Sequence, residues 1–230
     1  MQYNNNQRYW QSGVGLVEIA IALVVIGILV GAVLQGKHLI DQARLNTIIT
    51  DVQKIRLNIQ HFKEKHGFLP GDFPHASRDI HESLSDGEGC GILSGNPFLV
   101  DSSNGRFWTH LNAFNGISPS SSARILRYGD ELISCGFGGG YTIISTPTES
   151  MPGHWIVLGV KVGEDSGEGA LLTPEQAHYI NKKMDNGAPL SGAVRSLDTN
   201  RETHGKCIKD DRYNLSNNEK ACVIYFSIDD

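Results

Sequence analysis

The chain has 230 residues, 40% of them hydrophobic and 20% charged, enough for one medium domain beside a long helix. Its formal net charge of −5 argues against nucleic acid as the main partner. The four cysteines, Cys90, Cys135, Cys207 and Cys222, contain no C-x-x-C pair, which argues against zinc, and the 26 glycines predict many turns in the later chain.

Residues 1–12 are polar, with Arg8 as their only charge. Gly13-Val14-Gly15-Leu16-Val17-Glu18 follows, and then a run from Ile19 to Leu34 without a charged or strongly polar side chain. Glu18 is the only charge between Arg8 and Lys37, and a carboxylate beside a bilayer-length apolar run is costly unless something neutralises it. Gly27 and Gly31 form a G-x-x-x-G pair, a spacing that lets helices approach closely in lipid but is also common in membrane helices generally. A secretory signal peptide needs small residues at its cleavage site, and Val33-Leu34-Gln35 lacks them. Gly31 to Lys37 spells a phosphate-loop decoy, but His38 replaces the required Ser or Thr.

The same helix continues. Ile48, Val52, Ile55, Ile59 and Phe62 recur at steps of four, three, four and three, the period of one helix face. Lys63, Lys65 and His66 suit the negative end of the helix dipole, Gly67 can take a left-handed stop, and Pro70 prevents resumption. One helix from about Val14 to His66 would be roughly 80 Å long, against a bilayer core of about 30 Å. Its second half must therefore stand outside lipid and bury its Ile/Val face against the chain that follows.

Gly13, Glu18, the apolar run and the long helix together resemble the N-terminus of type IV pilins and type II secretion pseudopilins. The resemblance covers residues 13–66. It implies a leader over residues 1–13, cleavage between Gly13 and Val14 by a prepilin peptidase, methylation of the new N-terminus, and Glu18 as fifth residue of the mature chain. Val14 stands where the family usually has Phe or Met, Gly15 where it has Thr, and Gln35 where a midway Pro is common. The implied organisation is a leader (1–13), a transmembrane or filament-core half helix (14–36), an amphipathic half (37–66) and an exported globular domain (67–230). Glu18, Gly27 and Gly31 would serve assembly.

Beyond the helix, Phe68-Leu69-Pro70-Gly71-Asp72 opens the soluble part, and a similar Leu-Pro-Gly-Asp follows the long helix in some pilin-like proteins. Residues 73–105 read mostly as loop. Asp86 and Glu88 alternate like two ligands of a calcium loop, but Cys90 holds the third position and Pro97 the far end, so calcium is weakly supported and a plain glycine-rich loop is the default. Phe107, Trp108, Leu111 and Phe114 predict a short helix capped by Asn104 and stopped at Gly116. Tyr141–Ile144, His154–Val162 and Cys222–Ile228 read as strands. Thr173-Pro174-Glu175-Gln176 predicts a capping box and a helix with Ala177, Ile180 and Met184 inward. The fold class is α+β, a long N-terminal helix packed on a small antiparallel sheet.

An even cysteine count behind an export-type N-terminus suggests two disulfides in an oxidising compartment, and four cysteines allow three pairings. Cys207 with Cys222 would close a short polar segment before the last strand and contribute about 3 kcal/mol. Cys90 would then pair with Cys135.

No catalytic constellation stands out: His81-Glu82 does not continue to H-E-x-x-H, and Gly91–Gly95 is not G-x-S-x-G. The sequence thus reads as a structural subunit rather than an enzyme, with no cofactor or metal required. Its expected partners are other pilin-like subunits, the peptidase and the assembly machinery of the bacterial inner membrane. It would span that membrane once, with the globular domain in the periplasm, before entering a pilus or pseudopilus. The size of the soluble part leans towards a minor subunit. The alternative is an uncleaved membrane-anchored periplasmic enzyme or binding protein that does not polymerise.

Overall fold

The computed structural model of the protein describes residues 15–118, 124–199 and 206–229. Helix α1 runs Leu16–His66. The boundary between two compact units falls within it, at Ala43/Arg44. In the first unit the apolar side chains from Leu16 to Val33 are exposed. In the second, the buried series on α1 begins at Leu45 and continues through Ile48, Val52, Ile55, Ile59 and Phe62, none of the last five more than 1% exposed. Burying each such side chain stabilises by about 1.5–3 kcal/mol, so this face of the helix is a main source of the domain's cohesion. The helix stops as its last turn predicts: Gly67 has φ +75° and donates its N–H to Lys63 O at 2.8 Å.

The sheet is wholly antiparallel. Its strands are β1 (Gly140–Ser145), β2 (His154–Val162), β3 (Ser166–Gly169), β4 (Val194–Asp198) and β7 (Cys222–Ser227), in the order β1-β2-β7-β4 with β3 paired to the far end of β2. A two-stranded ribbon, β5 (Ile208–Lys209) and β6 (Arg212–Tyr213), turns through Asp210 and Asp211, both at positive φ. Tyr141, Ile143, Ile156, Leu158, Ile224 and Phe226 belong to the same core as the α1 face. Trp155, Val157, Val223 and Tyr225 form a second cluster with Met151 on the opposite side of the sheet. Alternation thus buries both faces of β2 and β7, as central strands require. The chain is α+β, with an apolar N-terminal helix and an antiparallel sheet.

Among the described residues there are three shorter helices, α2 (Ala76–Asp79), α3 (Ser103–Phe114) and α4 (Pro174–Met184). The capping box on α4 forms in both directions, Thr173 Oγ1 accepting from Gln176 N–H and Gln176 Oε1 accepting from Thr173 N–H. Helix α3 differs from expectation at its start. Ser102, not Asn104, is the cap, accepting from Gly105 N–H, because Asn104 Nδ2 is donated across to Gly95 O.

Candidate assembly site

The expected processing residues Gly13 and Val14 lie outside the described residues. The described part of the candidate site begins with Glu18, in the first turn of α1, its N–H donated to Gly15 O at 3.0 Å. Its carboxylate is exposed and has no partner among the described residues. From Leu16 to Val33 the helix is long and apolar enough to cross a membrane, and none of that window is buried. Leu16 is 85% exposed and Ile28 67%. A Cβ built at Gly27 or Gly31 would meet nothing within 4 Å among the described residues. No described residue therefore crowds out a Cβ at either place.

The cysteines divide. Cys207 and Cys222 form a disulfide with Cα atoms 5.0 Å apart, tying the segment before β5 to β7. The pairing of Cys90 with Cys135 does not form, and both are free thiols. Cys90 is held in a separate place: its N–H donates to Asp72 Oδ1 at 3.0 Å, and its exposed thiol lies 3.7 Å from the same oxygen. Cys135 is half-buried in a turn, its N–H donated to Gly139 O at 2.8 Å beside β1.

Asp72 was singled out by the sequence only as the end of Leu-Pro-Gly-Asp. It is 2% exposed, and its carboxylate accepts the N–H groups of Cys90 and Gly91, at 3.0 and 2.8 Å. The glycine-rich loop therefore turns amides, not oxygens, towards its centre. The calcium candidates point elsewhere: Asp86 Oδ1 accepts from Ser77 N–H at 2.8 Å, and Glu88 lies 3.6 Å from Arg106. Among the described residues no group of three His, Cys, Asp or Glu side chains is disposed to hold a metal ion.

Two buried polar residues escaped the sequence reading. Asn181 on α4 donates to Ala188 O, Val194 O and Tyr213 Oη, fastening the helix to β4 and to the ribbon. His110 on α3 is fully buried between Gly71 and Ser85. Its Nδ1 accepts and its Nε2–H donates, so the imidazole is neutral, and burial pushes its pKa down to about 4. One serine, histidine and aspartate also converge. His154 Nδ1 lies 3.3 Å from Asp229 Oδ2, and Ser145 is the cross-strand neighbour of His154. Ser145 Oγ and His154 Nε2 are shut off from solvent and bonded to nothing among the described residues, each other included.

Comparison of the chain with protein-family models, with curated proteins and with solved structures finds no match.

Proposed function

We propose that this protein is a structural subunit, of the minor kind, in a type IV pilus or type II secretion pseudopilus. The leader ends at Gly13, a prepilin peptidase cuts before Val14, and assembly proceeds through the N-terminal helix in the inner membrane with the globular domain in the periplasm. The single observation that supports this most is the character of α1. An apolar surface of membrane-spanning length, opening on a carboxylate without a partner among the described residues, runs on in one helix into the face that builds the domain core. A monomer in lipid explains the apolar surface, but Glu18 only if its carboxylate reaches the headgroups. In a filament the amine of Val14, its own or a neighbour's, meets that carboxylate, and a charge-assisted contact offsets much of the desolvation.

Intact-mass measurement on membrane-extracted protein tests the cut, with a chain beginning at Val14 expected. A chain that keeps Met1 sinks the filament reading and leaves an anchored periplasmic protein. Glu18→Gln then separates assembly from insertion. At matched membrane levels the variant should be inserted and cut normally but recovered poorly in filaments released by shear. Equal incorporation would show that Glu18 merely reaches the headgroups.

A further inference from the structure

The segment 68–92, which joins α1 to the chain before α3, is hydrogen-bonded mostly to itself. Asp72 accepts from Cys90 and Gly91 N–H, Asp86 from Ser77 N–H, and the carbonyls of Phe73 and Asp72 from Gly87 and Gly89 N–H. Its only regular element is α2, of four residues. Among the described residues, the hydrogen bonds that join it to the rest of the domain both end on His110 of α3. Gly71 N–H donates to Nδ1 at 3.0 Å, and Nε2–H donates to Ser85 O at 2.8 Å. The exposed Glu88, 3.6 Å from Arg106, adds little.

The same segment closes over a second histidine. His66, in the last turn of α1, has its ring centroid 4.8 Å from Phe62, 4.6 Å from Phe73 and 5.8 Å from Phe114. Phe73 belongs to the segment and Phe114 to α3. The Phe62 ring also stacks on His110, at 6.5 Å, so one phenyl ring stands against both imidazoles. His66 Nε2 is shut off from solvent, with no hydrogen-bond partner among the described residues. Lys65 on α1 and Asp79 on α2 face His66, while Arg106 on α3, Asp86 in the segment and His66 itself face His110. The exposed His75 faces Asp79 and Asp86. Burial is the largest influence on both rings and favours their neutral forms. The face of Phe114 already carries a cation, Lys65 Nζ, 5.1 Å from the ring centre.

We propose that His66 and His110 form an acid-released latch. Protonation of the two rings frees segment 68–92 from α1 and α3 and uncovers Phe62 and Phe114, while the sheet stays folded. On His110 the added proton sits on Nδ1 and meets the Gly71 N–H, donor against donor. On His66 it puts a charge into an aromatic box with no acceptor for Nε2–H among the described residues. The closed segment holds both imidazoles neutral, and in the open one they titrate near the ordinary 6.5. Closure is therefore at full strength above pH 6.5 and weakens as the pH falls below it. The latch lies in the globular domain and does not depend on α1 entering a filament.

The test uses the full chain in detergent micelles, with amide exchange read by NMR from about pH 7 to about pH 5 and corrected for intrinsic rates. Gly71 reports the latch directly, since its N–H is bonded to His110. Its protection should be level above about pH 6.5. Below that it should fall by more than tenfold per pH unit, because uptake of one proton gives about tenfold and two histidines take up more. At each pH Gly71 should exchange at least about tenfold faster than Ile156 and Ile224 in the central strands. His66→Leu, which keeps the box apolar, should limit the fall to about tenfold per unit. His110→Asn should do the same from the other side, and carries the test should His66→Leu not fold. Three results would overturn the proposal. They are a wild-type fall of tenfold per unit or less, the same steep fall in the variants, or equal protection of Gly71 and the sheet, which would mean that the domain opens only as a whole.

Discussion

His110 Nδ1 accepts the backbone N–H of Gly71 at 3.0 Å, so an imidazole on α3 holds the turn that ends the α1 connection. The bond needs an unprotonated Nδ1, and the other ring nitrogen is committed as donor to Ser85 O at 2.8 Å. The folded pKa, about 4, lies below the ordinary value of 6.5, so the unfolded chain binds the extra proton more readily. Stability from this site is fully present above pH 6.5 and is lost as the pH falls towards 4. The loss should reach about 3 kcal/mol, read from denaturant midpoints across that range. His110→Asn should flatten that part of the pH profile.

Asp72→Asn tests the loop anchor. The substitution puts an amide where two N–H groups converge, and one face of it can no longer accept. A loss of about 1–3 kcal/mol is expected, with faster exchange at Cys90 and Gly91. An unchanged denaturation midpoint would remove Asp72 from the account of this loop.

Replacing Cys207 and Cys222 together by Ser should cost about 3 kcal/mol, the value for a loop of this length in the chain-entropy model. The double replacement of Cys90 and Cys135 should leave the melting behaviour within about 0.5 kcal/mol of the parent. Alkylation of the native protein without reductant should label Cys90 fastest, since its thiol is exposed. A mapped Cys90–Cys135 bridge would contradict the arrangement described above.

Gly27→Leu and Gly31→Leu should leave the stability of the globular domain unchanged, because a Cβ at either position meets no described residue within 4 Å. Under the filament reading they should still reduce shear-released protein, since only a neighbouring helix would occupy that space.

The sequence made the long elements legible because they are periodic. The α1 face from Ile48 to Phe62, the strands β1, β2 and β7, and the Thr173 capping box all stand where spacing and cap chemistry put them. Strand β3 was missed because Ser-Gly-Glu-Gly carries none of the branched or aromatic residues that mark a strand. Its glycines serve closeness instead: a Cβ on Gly167 would strike Thr142. Strand β4 alternates too weakly over five residues to be seen, and the polar ties of Asn181 and His110 depend on distant loops. The cysteine arithmetic found the local bridge and failed on the distant pair, since elimination says nothing about where two loops lie in space. At the candidate assembly site, Glu18 and the glycine pair stood out in sequence as breaks in an apolar run, and the helix places them on exposed surface.

The place of β7 has a consequence for how the domain is made. It is the last of the described strands in sequence, yet it lies between β2 and β4, bonded to both. While the chain emerges from the ribosome, β4 has no neighbour and β2 has one edge open, until residues 222–227 arrive. The sheet therefore closes in a single late event, and a ribosome stalled before residue 222 would hold a domain split down its middle rather than one trimmed at its border. Arrested chains of increasing length should stay protease-sensitive throughout β4 and become resistant together once β7 is released.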